Sequence, residues 1–106
     1  MTALREPTFL ILVALASGPL HGYGIIKEVE SLSDGRVRLR AGTLYGALDR
    51  LEAEEHISFE GEEAGDGPTR RRYKLTKAGR SLLDSEMRRM EANLGAARSK
   101  LRPAQT

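Results

Sequence analysis

Gly42-Thr43-Leu44-Tyr45-Gly46-Ala47-Leu48-Asp49-Arg50-Leu51-Glu52-Ala53-Glu54 is the stretch from which the fold is read. At about 100° per residue, Leu44, Ala47, Leu48 and Leu51 share one face. Gly42, Gly46 and Asp49 lie opposite, flanked by Thr43 and Arg50. The spacing predicts a helix from about Gly42 to Glu54, the third of the chain, with a leucine stripe turned inward. Its two glycines cost about 1 kcal/mol each relative to alanine. That cost is tolerable where the outer face must approach something bulky. A slim face backed by an apolar stripe is the shape that enters a groove. Neither Arg40 nor Ala41 supplies a side-chain N-cap.

Upstream, Val37 and Leu39 alternate with Arg36, Arg38 and Arg40, a short strand or an extended linker. A second helix is expected from about Gly22 to Leu32. Ile25, Val29 and Leu32 line one face beside Ile26, and Ser33-Asp34-Gly35 ends it. The first helix opens at Pro7, is apolar on every face from Phe9 to Ala16, and stops at Ser17-Gly18-Pro19. Such a helix needs cover on two sides, from its own domain and from a second chain. The apolar run is far short of the roughly 20 residues of a membrane span. Ala14-Leu15-Ala16 mimics a signal-peptidase site, but Arg5, Glu6 and Pro7 spoil the leader. No membrane association and a cytoplasmic location are expected.

Downstream, Ile57–Glu63 and Thr69–Leu75 bracket the turn-rich Ala64-Gly65-Asp66-Gly67-Pro68, which reads as a β-hairpin. On its second strand Arg71, Tyr73 and Leu75 point one way, and Arg70, Arg72 and Lys74 the other. Thr76 is a good N-cap for a long helix from Lys77 to about Leu101, halted by Pro103. Leu83, Met87, Met90, Leu94, Ala97 and Leu101 form a heptad seam along it. Nothing else in the chain is left to cover that seam. Another copy of the chain is the expected cover, with Phe9 of the first helix joining the interface. The order of elements is mainly α with a small β-hairpin: a winged helix-turn-helix domain over residues 1–76, then a C-terminal dimerisation helix and short tail over 77–106.

The 17 Lys and Arg against 15 Asp and Glu leave a net charge of only +2, which hides an uneven distribution. From Glu52 to Asp66 the charges are all acidic, and from Arg70 to Arg80 all basic. Arg36, Arg38, Arg40 and Arg50 form a second basic cluster around the third helix. Arginine supplies 13 of the 17 cations, which favours bidentate phosphate and guanine contacts. The run Arg70 to Arg72 has a plainer reading, pairing across the ladder with the hairpin's own acidic strand. The groove-shaped helix beside the charge favours double-stranded DNA.

The absence of cysteine excludes disulfides, thiolate catalysis and zinc fingers. His21 and His56 are too few for a histidine metal site, and His21 reads as a structural turn residue. Gly22 and Gly24 lack the Lys-Ser/Thr of a phosphate loop. The seven serines have no histidine base at motif spacing, so no enzyme, cofactor or metal is expected. Tyr23 reads as core. Tyr45, at the edge of the stripe, suits packing and phosphate contact equally, ring in and hydroxyl out. Thr43 faces outward and suits a phosphate or base contact. Asp49 accepts from a cytosine amine or orients Arg50. Met87 and Met90 read as seam packing.

Four motifs stand in order: His21-Gly22-Tyr23-Gly24-Ile25, Gly42-Thr43-Leu44-Tyr45, Leu48-x-Arg50-Leu51-Glu52 and Tyr73-x-Leu75-Thr76-x-x-Gly79. Together they resemble the PadR family of transcriptional regulators over about residues 8 to 83. The single helix after the wing is similar to the smaller subfamily. The resemblance implies a winged-helix homodimer on an inverted repeat in promoter DNA, usually repressing. In relatives, small aromatic or drug-like compounds can release the DNA. The DNA role then falls on Thr43, Tyr45 and Arg50 of the third helix and on Arg70, Arg71 and Arg72 of the wing. Arg40 joins them from the basic cluster. The sequence departs from the family at Glu55 and His56, where Gly-Leu is common, so the third helix lacks its glycine stop. Gly46 stands where relatives often carry proline. The competing class is a winged-helix protein-interaction module whose basic wing meets an acidic partner.

Overall fold

Backbone hydrogen-bond signals and apolar spacing divide the described residues into seven elements. The structure, a computed structural model, describes the backbone of residues 3–65 and 67–103, and among these the side chains outside 62–65 and 67–70. In chain order they are α1 (Glu6–Leu15), β1 (Leu20–His21), α2 (Gly22–Leu32), α3 (Ala41–Ala53), β2 (Ile57–Gly65), β3 (Gly67–Leu75) and α4 (Lys77–Leu101). This is a winged helix-turn-helix with a C-terminal helix. Among the described residues no helix is long and apolar enough to cross a membrane.

The three N-terminal helices meet around Ile11, Leu12 and Leu15 of α1, Ile25 and Val29 of α2, and Leu44, Leu48 and Leu51 of α3. Ile57, Tyr73 and Leu75 close the core from the sheet, and Leu83 from α4. Each fully buried aliphatic side chain contributes about 1.5–3 kcal/mol, so the leucine stripe of α3 anchors that helix and leaves its other face outward. Phe9, Leu10 and Val13 of α1 are only partly buried against this core.

Three details differ from the sequence reading. The wing is a three-stranded antiparallel sheet in the order β1-β3-β2, because Leu20 and His21 pair with Tyr73 and Arg72. A strand of two residues carries no alternation by which it is recognised. The hairpin strands also run further, to Gly65 and from Gly67, and Asp66 of the expected turn lies outside the described residues. Residues Val37 to Leu39 form a linker with no strand partner among the described residues, the second of the two readings. Finally, Leu32 is exposed, and Ser33 takes the inner position in its place. The Ser33 hydroxyl donates to the Val29 carbonyl at 2.9 Å and accepts the Val37 N–H at 3.0 Å, tying the end of α2 to the linker.

α2 and α3 stop in the same way. The Gly35 N–H reaches the Glu30 carbonyl and the Asp34 N–H that of Ser31, while the His56 N–H reaches Leu51 and the Glu55 N–H reaches Glu52. Both are Schellman motifs. Asp34 and Glu55 hold the left-handed positions, with φ of 51° and 63°. The third helix therefore ends cleanly without the glycine common in the family it resembles. The turn after it is docked on α4: Thr76 donates its hydroxyl to the Glu55 carbonyl and its N–H to that of His56, and accepts the Gly79 N–H as the α4 N-cap. A Cβ on Gly79 would overlap the His56 carbonyl oxygen, so only glycine permits this approach.

Candidate functional site

The outward surface of α3 is built from its two glycines. A Cβ at Gly42 or Gly46 would meet nothing within 4 Å, so this face is open. The helix begins with no side-chain cap at Arg40, as its sequence implies. Its two flanks differ in chemistry. On one flank Tyr45, Asp49 and Glu52 are near enough to the wing to add to the upward shift that burial gives the Tyr73 hydroxyl. Thr43 and Arg50 turn the other way and line a hollow with Arg5, Pro7 and Thr8 at the start of α1.

Tyr45 packs, but with its hydroxyl turned in against α2 rather than out. Its ring end packs on Gly22 at the start of α2, where a Cβ would collide with the hydroxyl, yet 47% of the residue stays accessible. His21 is the turn residue expected: its Nδ1 accepts the Gly24 N–H at 3.2 Å and caps α2. Tyr23 is not core. It is 61% exposed, with the Lys27 ammonium 5.6 Å from its ring centroid. Tyr23 lies off the Ile25–Val29 face, and that helical spacing was the available sign of its exposure.

The arginines divide by their partners. Arg36 pairs with Glu6 of α1, and Arg38 donates to the Gly35 carbonyl and lies 3.9 Å from Glu30. These two fasten the linker. Among the described residues Arg40 and Arg50 make no ion pair, and both are exposed. On the wing, the Arg72 guanidinium lies 3.3 Å from the Glu60 carboxylate, the cross-strand pairing left open by the sequence. The Arg71 guanidinium stacks over Phe59, 4.6 Å from its centroid, and stands 5.7 Å from that of Tyr73. Tyr73 is 3% exposed, and burial pushes its hydroxyl above the ordinary tyrosine range against the opposing pull of Arg71. The Arg70 side chain lies outside the described residues.

Along α4, Leu83 is buried in its own domain while Met87, Met90, Leu94 and Leu101 are exposed. The seam therefore starts inside the domain and continues onto open surface. Beside it Glu86, which the sequence reading did not single out, is 4% exposed and accepts two hydrogen bonds from Arg89. Its spacing of three from Leu83 was the available signal. Among the described residues no group of three or more His, Cys, Asp or Glu is placed to hold a metal.

A family model described as "Transcriptional regulator PadR-like family" matches residues 11–85. The transcriptional regulator Rv3488 of Mycobacterium tuberculosis is 38% identical over 81 residues, 76% of this chain and 72% of that one. An uncharacterised 37.1 kDa protein in transposon TN4556 of Streptomyces fradiae is 48% identical over 86 residues, 81% of this chain. The chain spans only 23% of that protein's length. Among solved structures, Bacillus subtilis PadR in complex with operator DNA superposes with a TM-score of 0.70 at 22% identity, covering 96% of this chain and 50% of that one.

Proposed function

The chain belongs to the PadR-like family of transcriptional regulators, and on that premise we propose that it is a sequence-specific DNA-binding repressor acting as a homodimer in the cytoplasm. Residues 1–76 bind DNA and residues 77–106 join the protomers. α3 enters the major groove with Gly42 and Gly46 against the wall, Thr43 and Tyr45 at base edges or phosphates, and Arg40 and Arg50 on the flanking backbone. The wing lays Arg70, Arg71 and Arg72 along the adjacent phosphates. Phe9, Leu83, Met87, Met90, Leu94 and Leu101 form the interface between copies. A small aromatic or drug-like compound releases the DNA by favouring a different protomer angle.

The observation that carries this reading is the open, glycine-lined face of α3 flanked by two arginines without acidic partners among the described residues. A helix that only filled a core would gain about 1 kcal/mol from alanine at each such glycine. Selection of bound duplexes from a random pool tests the proposal. The expected product is a pseudo-palindrome with half-sites about one helical turn, ~10 bp, or a small multiple apart. Recovery of no duplex in dilute buffer, or competition by single strands as well as duplex, makes the basic wing a surface for an acidic protein partner instead.

A further inference from the structure

Consecutive residues of β2 attend to consecutive arginines of β3, and they do so by different chemistry. The register sets Phe59 opposite Tyr73 and Gly61 opposite Arg72, which leaves Glu60 as the extra residue between them. Glu60 places its carboxylate 3.3 Å from the Arg72 guanidinium. Phe59 places its ring against Arg71, whose guanidinium carbon stands 4.6 Å from the centroid. Phe59 is 41% exposed and takes no part in the hydrophobic core. Core packing therefore does not account for an aromatic residue at this position. Arg71 is its one described aromatic–cation partner.

The two attachments differ in what they leave free. A carboxylate occupies the N–H edge of a guanidinium, so a phosphate must displace it. An aromatic ring takes only the flat face, and the N–H donors, which lie in the plane, stay open to an anion. Arg71 shares a strand face with the buried Tyr73, 5.7 Å from its ring, and so lies on the side of the sheet that meets the helices. Alternation puts Arg72 on the other side. A loose arginine loses rotamer freedom when it meets a phosphate, roughly a two- to tenfold loss in affinity for each side chain ordered. We propose that Phe59 is a positioning residue for DNA binding: its ring holds the Arg71 guanidinium flat, with the N–H edge presented to a phosphate of the duplex that receives α3. This rests on the DNA-binding reading and adds to it the residue that orders one of the wing contacts in advance.

Phe59→Leu removes the ring while keeping an apolar side chain and the Arg71 charge. It is expected to weaken binding to the selected duplex by about fivefold for each wing engaged, with the log–log salt slope unchanged. Arg71→Ala is expected to flatten that slope by about 0.9 for each wing. Adding Phe59→Leu to Arg71→Ala should have no further effect, because the ring then has nothing to hold. Phe59→Tyr restores a ring and should bind as the wild type does. The stack is also read without DNA: in the free chain the ring current of Phe59 moves the Arg71 side-chain protons upfield by NMR, and Phe59→Leu abolishes that displacement. If Phe59→Leu fails to fold, Phe59→Met applies the same test. Equal duplex affinity of Phe59→Leu and the wild type overturns the positioning role. So does an equal loss with and without Arg71, or the lack of an upfield displacement in the wild type. A wild-type chain that binds no duplex refutes the DNA-binding proposal itself, and the positioning role falls with it.

Discussion

Glu55 holds a backbone conformation that its side chain resists. A non-glycine residue in the left-handed region costs about 1–2 kcal/mol, yet the turn at φ 63° forms completely. It is over-determined by its surroundings. The Thr76 hydroxyl takes up the Glu55 carbonyl at 2.6 Å, its N–H takes the His56 carbonyl at 3.1 Å, and Gly79 leaves room for that oxygen. Glu55→Gly is expected to stabilise the chain by about 1 kcal/mol, read as a higher urea midpoint at unchanged slope. No gain would mean that the turn carries no strain. Tyr73 gives a second residue-level test. Its folded pKa is raised by burial, so its contribution is fully present below the unfolded value of about 10. As pH climbs further the unfolded chain ionises first, and stability is lost through the folded value. Tyr73→Phe should flatten the fall in urea midpoint above about pH 10; an equally steep fall in the variant assigns it to other groups.

At the scale of the element, α3 sacrifices helical stability for a slim face, and α4 provides the comparison. Gly46 and Gly95 are both helical with nothing within 4 Å of a Cβ position. Alanine at either is expected to stabilise its helix by about 1 kcal/mol. Only Gly46→Ala should weaken binding to the selected duplex, because a methyl group there meets the groove wall. Equal duplex affinity in both variants would remove the close approach from the proposal. The wing carries its own test. Arg72 is bridged to Glu60, so it exchanges one anion for another on meeting a phosphate. Arg72→Ala should weaken all duplexes alike and flatten the log–log salt slope by about 0.9, in salt titrations followed by fluorescence anisotropy. An unchanged slope removes Arg72 from the contacts. The elements themselves were legible because cap and period signals are local: Thr76, Pro7 and the leucine stripe each act within a turn or two. Whether Arg72 finds Glu60 was not, since β2 and β3 must first pair in register, and a bulge after Phe59 shifts that register.

Across the whole molecule, the unfinished feature is the exposed length of α4. The chain extends 68 Å along its major axis against 28 and 22 Å across, and Met87, Met90, Leu94 and Leu101 stand uncovered on that helix. A second copy laid along the seam would remove this surface from water and pair two α3 helices for two half-sites. Leu94→Glu puts a charge on the middle of the seam without disturbing the domain core. It is expected to yield a folded monomer at micromolar concentration by sedimentation, with duplex affinity reduced about 100-fold or more through loss of bivalent engagement. A variant that remains dimeric would place the interface elsewhere.

The sequence by itself determined the order and bounds of the helices, the inward stripe and open face of α3, the cap at Thr76 and the membership of the family, because periodicity, capping and motif spacing are written in neighbouring residues. Only the tertiary structure decided that β1 joins the wing, that Leu32 is exposed while Ser33 is buried, and that Arg36 and Arg38 are tied down while Arg40 and Arg50 lack acidic partners among the described residues. These outcomes depend on which groups arrive from distant parts of the chain. A charge or an aromatic ring has no fixed role until its neighbours in space are set, and those are chosen by the packing of whole elements.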